Sequence, residues 1–429
     1  MQRRRFALPL TLLFVVVFAC LPRFTSGQAD PAVKAKKQPP DFDDTIRGHS
    51  GQMLEEGRKI FRYDTFGSEA FWGDGLQLHK AIAGEKNGGV GGGVSPKTAL
   101  SVGLKVDADA LPASLKQQLK QGKVNLDDPA TTLALLKLNS VVGVTGLFDK
   151  KGNVRSMGIQ CAFCHSTVDD SFAPGIGKRL DGWAARDLNV GVIVSLAPNL
   201  QPFSDLLGVD VATVKKVLNS WGPGRFDAEL DKDGKAFRPD GKQAGTLIPP
   251  AFGLAGVNLH TWTGFGSVTY WNAYVAATEM HGSGTFFDAR FNNKEQYPVA
   301  AKTSSGNTRG KPDLVTSKLA ALHFYQLAIP APRPPAGSFN NDAAVRGKGI
   351  FNVKARCATC HRSLRNRETT CTRRARLEST LSRQTGHPRI CTGLHRLPDS
   401  GATRRAASTM MAGLRTCGKS STTTTDFLD

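Results

Sequence analysis

The chain has 429 residues, 40% of them apolar, which is enough for more than one packed core, and its formal net charge is +20. That charge is unevenly placed: residues 1–29 carry a net +4 and residues 362–429 a net +8, leaving a moderately basic +8 on the body between them. Such a surface suits an acidic redox partner, and without a basic motif or interleaved aromatic run a nucleic-acid partner is excluded.

In chain order, Arg3, Arg4 and Arg5 precede an apolar stretch from Leu8 to Ala19, broken only by Pro9 and Thr11, with small residues near Gly27 and Ala29. A charged start, a short apolar core and a small-residue cleavage region predict an export signal over 1–29, too short for a membrane span. The protein is then periplasmic or otherwise exported. It would associate with a membrane only if the signal stayed uncleaved or if Cys20 were lipidated, and Phe18 fits a lipoprotein box poorly.

Residues 30–43 are polar and Pro-containing, a linker. From Asp44 a helical pattern runs through Met53, Leu54, Ile60 and Phe61. A second helix is predicted from Ser68 to Ala83, carrying Trp72 and His79. The Gly88–Gly93 run is a loop, without the strand–helix context of a phosphate cradle. Asp128-Pro129 places a cap residue before a proline in a first helical turn. Val141–Phe148 and Asn153–Met157 flank Asp149-Lys150-Lys151-Gly152, the pattern of a β-hairpin.

Cys161-Ala162-Phe163-Cys164-His165 then spells C-x-x-C-H, and Cys357-Ala358-Thr359-Cys360-His361 spells it again. With 8 Cys and 9 His in 429 residues, chance supplies about 0.003 copies per chain. The spacing has a chemical reason. Two thiols a helical turn apart can add across the two vinyl groups of one porphyrin, and the adjacent imidazole is carried under the iron as proximal ligand. The implied cofactors are two covalently attached haem c groups, held by Cys161, Cys164, His165, Cys357, Cys360 and His361. A zinc site would need both Cys pairs to converge and gives no reason for a His after each; paired disulfides are the other competing reading.

Beyond the first motif, helices are predicted over Val209–Trp221 and Val268–Met280. Asp231-Lys232-Asp233-Gly234 reads as a plain turn, with Ca2+ binding as the weaker alternative because the ligand spacing of an EF loop is incomplete. Leu319–Ala328 is a further helix, and Pro330, Pro332, Pro334 and Pro335 stiffen a linker over 330–341. Gly57-Arg58-Lys59-Ile60-Phe61 echoes Gly347-Lys348-Gly349-Ile350-Phe351, as if one cytochrome unit were used twice. The expected fold is mainly α, with two cytochrome c-like haem domains. The first spans 44–329, enlarged by an insertion at 62–160 that contains a small β-hairpin; the second spans 342–429.

Reactivity turns on the sixth position of each iron: two strong axial ligands favour electron transfer, and an open or displaceable site permits peroxide or O₂ chemistry. Candidates at the first iron are His79, His260, Met280 and His281. His260 sits in a Gly-rich aromatic stretch with Trp262 and Phe265, suited to a pocket wall, and Met280-His281 ends a predicted helix. Met157 is expected in the core and His323 as a buried structural histidine on an apolar helix face. Trp183 serves core packing or, should it lie between two porphyrins, electron relay.

After His361 arginine nearly replaces lysine, periodicity is lost, and Cys371, Cys391 and Cys417 appear. Residues 362–429 are read here as out of frame, a basic disordered tail being the competing view. Methionine has a single codon, so Met410-Met411 in the shifted frame forces an Asp, and the surrounding codons permit His-Asp-Gly-Arg.

With the two motifs, the export signal, Arg346-Gly347-Lys348-Gly349-Ile350-Phe351 and the shifted-frame His-Asp-Gly-Arg, the chain resembles the bacterial di-haem cytochrome c peroxidase superfamily. The wide interval between motifs looks closer to rubber-oxygenase-like than to MauG-like relatives. The resemblance implies one peroxide-reacting haem and one that passes electrons to it. It also implies a small cytochrome or cupredoxin, or a small oxidant, as partner. The chain departs from the peroxidase pattern in having no His between His165 and His260. Electron transfer through two haems is therefore the primary expectation, and di-haem peroxidase or oxygenase activity the alternative.

Overall fold

The computed structural model describes residues 41–227, 230–234, 245–261 and 264–359. The export signal with Cys20, most of the first linker, Trp262, Cys360, His361 and the whole tail from 362 lie outside the described residues.

The fold is mainly helical. It begins with α1 (Phe42–Tyr63), which carries Asp43 and Asp44 in its first turn and Arg62 in its last, the charge order that a helix dipole favours. The helix predicted over Ser68–Ala83 is interrupted. A π-turn at Ala70–Gly75 and α2 (Leu78–Ala83) are separated at Gln77, whose φ is +58°. A left-handed residue cannot continue a right-handed helix, which apolar periodicity alone does not reveal.

There follow α3 (Pro96–Ser101), β1 (Val106–Asp107), α4 (Ala113–Lys120) and α5 (Pro129–Lys137). The Asp128 side chain accepts from the Ala130 amide, and Pro129 opens α5 as the sequence predicts. The hairpin is present as β2 (Val144–Phe148) antiparallel to β3 (Val154–Ile159). It leads directly into α6 (Ala162–His165), the turn that bears the first C-x-x-C-H. The chain leaves that turn as β4 (Ser166–Val168), β5 (Ile176–Gly177) and β6 (Arg179–Asp181).

The next elements are α7 (Val190–Ser195), α8 (Gln201–Leu207), α9 (Val211–Ser220), β7 (Arg225–Phe226), α10 (Leu230–Asp233) and β8 (Thr246–Leu247). Asp231-Lys232-Asp233 is thus a single helical turn rather than a reverse turn. It places Lys232, 1% exposed, among the rings of Phe265, Trp271, Tyr274 and Phe291. After α11 (Val268–Ala277) come β9 (Thr285–Phe287), α12 (Pro298–Thr303), β10 (Asn307–Arg309), α13 (Leu319–Ala328) and α14 (Asn341–Gly349). α11 stops three residues short of the predicted end. Met280 N–H bonds back to Val275 and His281 takes φ +57°, so Thr278–His281 is a tight turn and not helix.

Among the described residues all the sheets are two-stranded pairs, so packing of helices and loops makes the core. A large cluster gathers Trp72, Leu136, Met157, Phe163, Val194, Phe203 and Trp221. A second joins Phe61 of α1, Ala162 of α6, Met280, and Ala321 and Leu322 of α13. A Cβ at Gly57 would fall on the carbonyl of Ala321, so α1 and α13 meet backbone to backbone. Arg62 Nε and Tyr325 Oη each donate to Asp181 Oδ2 at 2.5 Å, and Ser166 Oγ donates to Oδ1 at 2.9 Å. One carboxylate thereby ties α1 and α13 to β4 and β6, the strands on the far side of the motif turn. Among the described residues no helix is long and apolar enough to cross a membrane.

Candidate haem site

α6 is a single turn held by its neighbours. Phe163 N–H bonds to the Gln160 carbonyl and His165 N–H to the Cys161 carbonyl. Gly143, at φ +85°, lies so close that a Cβ there would fall on the Phe163 backbone; the approach of the hairpin to the motif requires glycine. Cys161 and Cys164, three residues apart, share one face of the turn. Both are free thiols, and both line a cavity of about 750 Å3. Burial pushes each thiol up to about 12, helped by Asp64 at Cys161 and by Glu279 and Cys161 at Cys164, so both are neutral.

His165 lines the same cavity, and its Nδ1 donates to the Pro249 carbonyl at 3.0 Å. That bond selects the tautomer in which Nε2 carries the lone pair, as when a metal-binding imidazole has its other N–H fixed by a carbonyl.

The rest of the wall is largely apolar: Trp72, Leu136, Met157, Phe163, Val194 and Ile248 among others. Among the buried polar atoms on it, Gln160 Oε1 and Trp271 Nε1 meet no hydrogen-bond partner among the described residues. Each such atom costs about 1–3 kcal/mol when left unpaired, so a polar-edged occupant is favoured over an empty hole. The residues fit a porphyrin on four counts. The volume falls within the roughly 300–1,000 Å3 of cofactor sites, the wall is apolar, two thiols sit a helical turn apart, and an imidazole is oriented through Nδ1. Among the described residues no three His, Cys, Asp or Glu side chains converge as a metal-holding group. Iron in a porphyrin needs no such cluster, since the macrocycle supplies four of its ligands.

The four sixth-ligand candidates separate. His260 and Met280 line the cavity. His260 Nε2 donates to the Val257 carbonyl at 3.0 Å, so that nitrogen is already engaged. Met280 is 4% exposed, and its carbonyl accepts from Trp72 Nε1 at 2.9 Å, fixing the backbone that carries the thioether.

His79 and His281 stand outside the cavity. His79 donates from Nδ1 to the Gly73 carbonyl at 3.0 Å and faces a smaller polar hollow with Asp74, Lys80 and Arg155. His281 stacks on Phe71, ring centroids 3.5 Å apart, and burial brings its imidazole down to about 4. Met157 is core, as expected. His323 is only half-buried, sharing a hydrogen bond with Thr269 Oγ1 at 2.9 Å, because its helix face is not fully covered. Trp183 packs on Phe252.

Three features of the site have no signature in sequence. The Pro249 carbonyl is backbone, 84 residues from its partner. Glu279 is buried at the cavity and accepts from Tyr274 Oη at 3.2 Å, yet it reads in sequence as an ordinary helix-end acid. Trp271 reads in sequence as an ordinary aromatic of an apolar helix. The second motif is described as far as Thr359, where Cys357–Thr359 form a 3₁₀ turn. No protein-family profile, curated protein or solved structure matches the chain.

Proposed function

We propose that the protein is an exported c-type cytochrome that moves electrons through covalently bound haem, one at Cys161, Cys164 and His165 and a second at Cys357, Cys360 and His361. The observation that carries this reading is the placement of both first-motif thiols and the Nδ1-anchored imidazole on the wall of one apolar cavity of about 750 Å3. The haem supplies one-electron redox chemistry when bound. Cys161 and Cys164 would hold the haem as thioethers, His165 Nε2 would ligate its iron, and the apolar wall would exclude water. Met280, which lines the cavity, would offer the iron a soft thioether ligand, the choice that favours electron transfer over peroxide chemistry. The partner is a small cytochrome or cupredoxin of acidic surface, met by the moderately basic body.

A pyridine haemochrome assay on the exported protein tests the reading. Two covalent porphyrins per chain are expected, falling to one when Cys161 and Cys164 are both replaced by alanine. A chain exported without covalent porphyrin would falsify it.

The second reading, a di-haem peroxidase or oxygenase of the superfamily that the chain resembles, is favoured by Glu279. A buried carboxylate at the cavity, bonded by Tyr274, is the acid–base group such chemistry needs. Cyanide and peroxide titrations separate the two. An unchanged visible spectrum fits six-coordinate haem and electron transfer, and prompt ligand binding fits the enzyme.

A further inference from the structure

Two tryptophans line the cavity, and they differ in one respect. Trp72 gives its indole N–H to the Met280 carbonyl, whereas the N–H of Trp271 is buried and meets no acceptor among the described residues. Trp221 also has an unmatched N–H but does not line the cavity.

Trp271 is not loosely held. Tyr270 and Tyr274 pack edge-on to it, each 5.7 Å between centroids at 89° and 87°, and Phe265 lies at 6.1 Å. Lys232 Nζ lies 4.8 Å from its ring, and a cation against the π face draws electron density from the indole, strengthening N–H as a donor. Besides Cys161, Cys164 and His165 of the motif and Tyr274, the other charged or titratable side chains lining this cavity are Lys105, Arg186, Asp227, His260 and Glu279. An indole N–H can only donate, so its partner must be an acceptor on whatever fills the cavity.

We propose that Trp271 Nε1–H donates to a carboxylate oxygen of the bound porphyrin, one of its two propionates. The inference rests on the haem reading and adds an orientation to it. A haem c periphery offers hydrogen-bond acceptors only at its propionates, on the edge away from the thioethers. The proposal places the thioether edge at α6 and a propionate at Trp271 of α11, both of which line the cavity. Arg186 also lines the cavity, but its guanidinium reaches solvent and can pair there with water or counterions.

A hydrogen bond to the ionised form holds a carboxyl in its charged state, and removing it raises proton affinity. In Trp271→Phe the propionate should bind its proton about tenfold more tightly, so the pH-dependent step of the haem midpoint potential moves up by about one pH unit. Trp271→His keeps a ring N–H and should move it less. In the reduced wild-type protein, labelled with 15N at its indoles, one N–H resonance should titrate along the same curve as the potential. That measurement stands even if the variants do not fold.

Covalent porphyrin with no titrating indole overturns the inference and leaves the haem reading intact. A potential profile that moves with Arg186→Gln and not with Trp271→Phe does the same. A wild-type chain exported without porphyrin overturns both.

Discussion

His165 Nδ1 lies 3.0 Å from the carbonyl oxygen of Pro249, a contact across 84 residues that binds the motif turn to the segment after β8. The bond fixes both the tautomer and the tilt of the imidazole before any metal is considered, so ligation through Nε2 needs little reorganisation. The neighbouring backbone reinforces it: Gly182 N–H bonds to the His165 carbonyl, and Ala251 N–H to the Gly182 carbonyl. The site is a clamp of backbone groups around one side chain.

Met280 is expected to be the sixth ligand at the first iron. Met280→Ala should convert that haem to a cyanide-accessible, high-spin species, with at least about tenfold tighter cyanide binding, equivalent to about 1.4 kcal/mol. His260→Ala should leave the spectrum as in wild type. A cyanide titration followed at the Soret band decides, and the opposite pattern would move ligation to His260.

The His281 imidazole, brought by burial to about 4, makes the fold acid-sensitive. Its unfolded value is about 6.5, so between pH 6.5 and 4 the unfolded chain binds the extra proton. Stability is therefore unaffected above pH 6.5 and declines as the pH falls to 4, by at most about 3 kcal/mol. The imidazole keeps some contact with solvent, which reduces this figure. His281→Asn does not titrate and tolerates the +57° φ, so its urea-unfolding curve should be flatter over this window. At pH 8 the variant should be about 1 kcal/mol weaker through the lost stacking on Phe71.

Asp181 should be among the most sensitive positions outside the cavity. Its Oδ2 serves both Arg62 and Tyr325 and its Oδ1 serves Ser166. Asp181→Ala strands a partly buried guanidinium and two hydroxyls, at a cost of about 3–5 kcal/mol. Thermal melting by circular dichroism should show it, and a melting temperature within a degree of wild type would mean that the clamp contributes nothing.

Gly143→Ala should impair haem attachment although residue 143 is not a ligand. The added Cβ meets the Phe163 backbone and the site demands φ +85°, so the motif turn must shift. Fewer covalent porphyrins per exported chain should follow. An unchanged haemochrome yield would show that the turn tolerates displacement.

Much of the local structure is legible from residues alone. The Asp128-Pro129 start, the hairpin around Asp149–Gly152 and the Leu319–Ala328 helix all stand where the sequence predicts them. Each is governed by short-range chemistry: a cap, a turn, an apolar face. The misplaced boundaries have a common cause. Gln77 and His281 take positive φ because of what packs around them, and neither residue type announces that in advance.

The thiol and imidazole spacing at 161–165 is set by the covalent chain, so it is readable without any fold, and with it the attachment chemistry proposed above. Which of four distant candidates shares a cavity with that motif was not readable. His79, His260, Met280 and His281 are all side chains able to ligate iron, and only the tertiary packing brings Met280 and His260 to the wall while leaving the other two outside. The Pro249 carbonyl, the Glu279 carboxylate and the Trp271 indole likewise owe their roles to neighbours far along the chain. Ligand identity is a property of a residue; ligand position is a property of the whole packed chain.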